Sequence, residues 1–303
     1  MAYAKASLVQ KIRHVLLDTP QVDNITAGYT AAGLTLTVAD ATLYDKGDIL
    51  EFFSDNGAGT GVGDTFLVDS TSGTTITMKA AGLGWEGSTN VDHDSGDGFY
   101  LRPAFRYLQI VEAIDTVIQE LWPYGWKAVS NTITPVSGQR WYDLATSTTN
   151  TMDLIDAKQL SSNDLDLIEY GTRKGPRVEI KKGLPTTLAA STVGVYFPTF
   201  VNTENTIAVR VRAKLTDTVS GGNYSDLDEG FLTDAVVYGA AARLVENTEI
   251  PRVTQTDVTE GDASVDPGAR LRDAAYFRQL FDDKRRMLKR ELEERIPRMP
   301  VWR

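Results

Sequence analysis

The densest cluster of potentially reactive side chains is Asp92-His93-Asp94-Ser95-Gly96-Asp97, which imitates a metal-binding loop. An EF-hand loop needs an oxygen donor at its fifth position and a bidentate glutamate at its twelfth. Here those positions hold Gly96 and Pro103, so acidic turn residues are the expected role and no metal site is expected. The other histidine, His14, lies beside the apolar stripe of an amphipathic segment, at a core edge or on the surface. Cysteine is absent, which removes disulfides, thiolate nucleophiles and thiolate zinc sites. The run Gly57-Ala58-Gly59-Thr60-Gly61-Val62-Gly63 lacks the order of a dinucleotide fingerprint and the Lys-Ser/Thr of a P-loop, and it precedes a strand pattern rather than a helix. A hairpin tip is the expected role. No Gly-x-Ser-x-Gly nucleophile elbow occurs. Asp164/Asp166 and Asp282/Asp283 could serve as a glycosidase pair, but among 41 acidic residues such pairs arise by chance. The residues point to no enzyme and no cofactor.

The elements that would carry these residues alternate in period. Leu8, Val9, Ile12, Val15 and Leu16 predict a first helix over 4–17, stopping before Pro20. Leu34–Val38, Ile49–Phe53, Asp64–Val68, Thr74–Met78 and Phe99–Leu101 then read as strands of a small antiparallel module over 21–102. A second helix is predicted from Pro103, at a favourable first position, to Leu121, with Phe105, Leu108, Val111, Ile114, Ile118 and Leu121 buried. A second β-rich stretch, 127–222, contains 140–144, 165–170, 177–180, 194–197 and 207–215. In the last of these Arg210, Arg212 and Lys214 share one face, expected to be wet. A third helix is predicted over 228–246, with Gly239 allowing close approach of another helix and Pro251 as terminator. The expected fold is α+β: a helical core of about four helices (1–20, 103–126 and 223–303) with a long C-terminal helix, carrying two inserted antiparallel β modules.

That last helix sets the functional expectation. Asp266 and Pro267 form a cap and first position, and Leu271, Ala274, Phe277, Phe281, Leu288, Leu292 and Ile296 recur three or four apart, with a gap around Lys284 and Arg285. A helix to Ile296 would be roughly 45 Å long. The gap predicts two parts, one packed on the third helix and a basic distal part free to bind a partner. Net charge is −10, yet residues 284–303 carry eight basic and three acidic side chains. A dedicated nucleic-acid binder is therefore disfavoured, and the apolar, proline-bearing end reads as a docking segment. Its candidate contact residues are Arg285, Arg286, Lys289, Arg290, Arg295, Arg298, Met299, Val301, Trp302 and Arg303. No stretch is long and apolar enough for a membrane span, and no secretory signal is read at the N-terminus, so synthesis and folding in the cytoplasm of the producing cell are expected.

The segments Asp228–Leu244 and Tyr276–Leu288 resemble the paired helices of tailed-bacteriophage head–tail adaptor (connector, neck) proteins. Leu36–Leu50, Phe66–Ser70 and Thr74–Thr77 look like β modules common in phage structural proteins; the second β module departs from the minimal all-helical adaptor. The resemblance implies a virion structural protein of the neck, made in the host cytoplasm and not an enzyme. It implies a homo-oligomeric ring, commonly of twelve subunits, that attaches to the portal protein, hands over to a downstream neck or tail protein, and forms part of the DNA conduit without sequence-specific binding. The family's terminal segment typically docks into the portal, which here is Lys284–Arg303. Other readings are a stopper, tail-completion or baseplate component, or a carbohydrate-binding or hydrolytic tail protein using Trp85, Trp126, Trp141 and Tyr142 as platforms.

Overall fold

A computed structural model of the chain describes residues 3–18, 20–30, 33–53, 63–79, 91–144, 153–159, 168–170, 178–182, 184–185, 187, 193–198, 206–216, 219–220, 223–224, 226–227, 230–253 and 267–294. The fold is mixed α+β, with four α-helices and several antiparallel sheets among the described residues. It comprises two compact units, Met1–Val117 with Thr218–Lys284 and Ile118–Asp217 with Arg285–Arg303.

In the first unit a short strand β1 (Tyr3–Ala4) leads into α1 (Lys5–Val15), which buries Leu8, Val9 and Ile12. The chain then enters β2 (Gln21–Asn24), β3 (Thr35–Thr37), β4 (Ile49–Phe52), β5 (Thr65–Ser72), β6 (Thr75–Met78) and β7 (Gly98–Leu101). These form one antiparallel sheet in the order β2-β7-β4-β5-β6-β3. It curls far enough that Ile25 bridges Val38 across its two edges. Alternation along β5 and β6 points Phe66, Val68, Ile76 and Met78 inward, where they meet Phe52 and Phe99 in a closed apolar core. Phe52 packs edge-on to Phe66 with centroids 5.5 Å apart. The expected connecting turn at 40–48 holds a 3-10 turn, Ala41–Leu43, capped by Asp40, whose carboxylate accepts from Thr42 N. The first and last strands of the module are neighbours, Gln21 pairing with Leu101.

Helix α2 (Tyr107–Glu120) starts four residues later than Pro103 suggests. Arg102 sits in the left-handed region (φ 50°), so the chain turns sharply after β7 instead of entering a helix. Asp18 accepts from Ala104 N and Phe105 N at 3.2 and 3.3 Å and holds the preceding turn, while Glu51 accepts from Tyr107 N at 2.5 Å and Gln109 from Arg106 N at 3.2 Å to cap the helix.

The second unit contains β8 (Lys127–Ile133), β9 (Trp141–Asp143), β10 (Asp153–Gln159), β11 (Ile168–Tyr170), β12 (Glu179–Lys182), β13 (Val193–Tyr196) and β14 (Ile207–Ala213). They form two sheets, ordered β11-β10-β14-β8 and β12-β13-β9. Ile133, Ala157, Ile207, Val209 and Val211 from the first share one core with Tyr142, Val193 and Val195 from the second.

The chain returns to the first unit through β15 (Val219–Ser220) and β16 (Asn223–Tyr224), which pairs with β1. Tyr224 is fully buried, its hydroxyl donating to Asp115 at 2.8 Å. Helix α3 (Gly230–Val253) buries Leu232, Ala235, Val236, Ala240, Ala241, Ala242 and Leu244, so it is apolar nearly all round, and it packs against α1. It continues through Pro251, which the sequence suggests as its end. In the final turn the missing N–H forfeits a single bond, and the helix stops two residues later. Helix α4 (Pro267–Glu294) has the cap-adjacent start the sequence predicts.

Candidate docking surface on the last helix

Among the described side chains of α4, the buried ones are Ala274, Phe281, Leu288 and Leu292. Spacings of seven and four keep them on one side of the helix. Phe281 packs where Gly239 of α3 has no side chain; a Cβ there would lie 2.6 Å from Val117 Cγ1 and 2.9 Å from Phe281 Cδ2. Lys284 Nζ reaches Asp234 Oδ2 of α3 at 3.0 Å. The proximal part is thus packed on α3, as the periodicity predicts. The distal part, which groups with the second unit from Arg285 onward, is not free along its whole surface. Leu288 and Leu292 are buried, and the Arg285 guanidinium lies over the Tyr124 ring at 4.7 Å. The sequence gap at 284–285 is filled by a tethered lysine and a stacked arginine, which serve as anchors in place of apolar groups.

What the distal part leaves exposed is Arg286, Met287, Lys289, Arg290 and Glu291, with Met287 at 60% of its full exposure. Farther up, Tyr276 is exposed at 58%. An unbranched apolar side chain among three cations on a rigid helix suits an acidic partner surface with a shallow apolar pocket. Of the docking residues named from sequence, Arg286, Lys289 and Arg290 share this exposed side and Arg285 is turned inward; Arg295, Arg298, Met299, Val301, Trp302 and Arg303 lie outside the described residues.

No protein-family model and no curated protein sequence matches the chain. The geometry carries the reading alone.

The remaining candidates resolve into structure. His93 is buried, its ring stacked on Phe52 with centroids 3.7 Å apart. Asp64 Oδ2 lies 3.4 Å from Nε2 and Asp97 Oδ2 3.6 Å from Nδ1, so the carboxylates flank opposite edges of the ring and share no common point. Among the described residues no group of three or more His, Asp or Glu side chains could hold a metal ion. Backbone bonds between His93 and Tyr29, at 2.8 and 2.9 Å, make this loop a clasp across the module. His14 is exposed. Asp164, Asp166 and all of the glycine run but Gly63 lie outside the described residues, as does Trp85. Trp126 and Tyr142 are buried and Trp141 stacks on Tyr196 at 4.5 Å, which leaves these rings poor sugar platforms. In the cationic stripe of β14, register sets Asp156 opposite Arg210 and Asp153 opposite Arg212. The Arg212 guanidinium lies over the Trp126 ring at 4.9 Å, so the stripe is half-buried and partly stacked on an aromatic ring. Among the described residues no helix is long and apolar enough to cross a membrane.

One buried constellation was not foreseen. The Arg13 guanidinium bonds Glu51 and donates to Phe105 O at 3.0 Å, with Asp18 at 3.8 Å and the Tyr100 ring under it at 4.4 Å. Burial pushes the Glu51 carboxyl up, against the opposing pull of Arg13, and pushes the Tyr107 phenol up to about 12. The signals were a lone charge inside the apolar run Ile49–Phe53 and an arginine four residues after Val9. The cluster acts as the rivet between α1, β4 and the start of α2.

Proposed function

We propose that the chain is a head–tail adaptor of a tailed bacteriophage, a virion structural protein that forms a ring, attaches to the portal and joins capsid to tail around the exiting DNA. In this reading α1, α2, α3 and α4 form the adaptor core, and the two β modules are insertions between its helices. The observation that carries it is the exposed Arg286-Met287-Lys289-Arg290 surface on a helix fixed by Ala274, Phe281, Leu288 and Leu292. Arginine and methionine are suited to such a role, arginine by paired contacts to carboxylates and methionine by filling irregular pockets. The tail residues Met299, Val301 and Trp302 would extend the same contact as apolar anchors. The net charge of −10 supports a conduit along which DNA slides without adhering.

The test is negative-stain microscopy of the purified protein mixed with its portal. A ring capping the portal is expected for the wild-type chain. Capping should be lost from a chain truncated after Ile296 and from Arg286→Glu/Lys289→Glu/Arg290→Glu, with the circular dichroism of both unchanged. Full portal attachment by both variants, or glycan binding by the isolated wild-type protein without portal binding, would overturn the assignment.

A further inference from the structure

Among the described residues β8 pairs with β14 alone and forms an edge of its sheet. Its seven residues keep an unbroken register, from Ile133 opposite Ile207 to Lys127 opposite Ala213. Proteins ordinarily blunt such an edge with a proline, a bulge or charges along the strand. Here the sequence Lys127-Ala128-Val129-Ser130-Asn131-Thr132-Ile133 has no proline and no charge after its first residue, and that Lys127 ammonium turns back to Thr216 Oγ1 at 3.3 Å. Ala128, Ser130 and Thr132 are exposed, all small and uncharged.

A second observation lies on the opposite face of the strand. Alternation puts Val129, Asn131 and Ile133 on the side of the shared core, and Asn131 Nδ2 is buried there without a hydrogen-bond partner. That donor is enclosed by its own chain, so what the edge offers an incoming strand is its backbone and the exposed, uncharged Ala128, Ser130 and Thr132.

We infer that the β8 edge is a self-association surface, on which a second copy of this chain adds its own β8 antiparallel about Ser130. Such a pairing is self-complementary and closes at two copies. It sets Ala128 opposite Thr132 of the second copy and Ser130 opposite Ser130, with no like charges facing each other. Asn131 then lies opposite Val129 of the second copy. Neither the ring nor the portal contact of the adaptor reading is needed for this pairing, which joins free chains or two assemblies through a two-fold axis.

Light scattering coupled to size exclusion, on the full chain without portal, tests it. The wild-type protein should run at twice 33.2 kDa. Ala128→Lys/Thr132→Lys and Ala128→Glu/Thr132→Glu should each run as single chains, because like charges then oppose across the axis. An equimolar mixture of the two should recover the dimer, which a misfolded variant could not do. In the wild type, amide exchange over 127–133 should slow as concentration rises. A monomeric wild-type protein, variants that still dimerise, a mixture that stays monomeric, or concentration-independent exchange at β8 would each overturn the proposal. The adaptor reading fails separately, by absence of portal binding, which the β8 variants leave intact.

Discussion

Arg13 shares a helix face with Val9, so burying that face takes a guanidinium into the interior, where it is 3% exposed beside a Glu51 that is 1% exposed. Two such charges gain little over a well-packed apolar pair, but either one alone is an uncompensated buried ion. Arg13→Leu should therefore cost about 3–5 kcal/mol in a denaturant titration, and Arg13→Met/Glu51→Leu should recover most of it. The pH dependence follows from burial of Glu51, which raises its carboxyl above the ordinary value of 4.5. Above that value the unfolded chain has released the proton and the folded chain still holds it. Stability contributed at this site therefore falls as pH rises through the window between the ordinary and the raised value, and then levels off. Glu51→Gln should remove that slope from a series of melting temperatures against pH; an unchanged slope would show that other groups set it.

Among the elements, α3 and α4 meet through an absence. Gly239 in mid-helix lowers helix propensity by about 1 kcal/mol against alanine. Its missing Cβ admits Val117 and Phe281, so Gly239→Ala should destabilise by about 1–3 kcal/mol despite the better propensity. Phe281→Leu in the same background should relieve part of the loss in a double-mutant cycle. The close approach was legible, because a glycine inside an apolar helix has few other uses. Strands with clean alternation, such as β14, were legible too. Strand β10 was not: Asp153-Leu154-Ile155-Asp156-Ala157-Lys158-Gln159 alternates poorly, and its place in the sheet is set by pairing with the distant β14. The start of α2 was misplaced for a related reason, since a proline offers a first position while Asp18, which holds the preceding turn, and Glu51, which caps the helix, are distant in sequence. Local patterns reveal a face, but cross-strand partners and remote caps are long-range facts.

At the scale of the whole molecule, charge is unevenly shared. Residues 21–102 contain 12 acidic and 3 basic side chains, close to the entire net charge of −10, while the exposed side of distal α4 is cationic. Exposed charges act over about 8 Å at physiological ionic strength, so partner attachment through α4 should weaken as salt rises. Binding isotherms in a salt series should show that dependence for the wild-type chain and a flatter one for Lys289→Ala/Arg290→Ala. The last helix was legible in outline from its periodicity; that Arg285 stacks inward while Arg286 stays outside required the neighbouring Tyr124. The neighbouring positions of Gln21 and Leu101, where the chain enters and leaves the curled sheet, have a consequence for descent. A segment whose ends emerge side by side can be gained, lost or exchanged between lineages by one recombination event, with a tight turn closing the gap and the helices keeping their order. The Arg13–Glu51 rivet marks what such a transfer would have to carry along or replace, so a lineage without the sheet should hold an apolar residue at the position of Arg13.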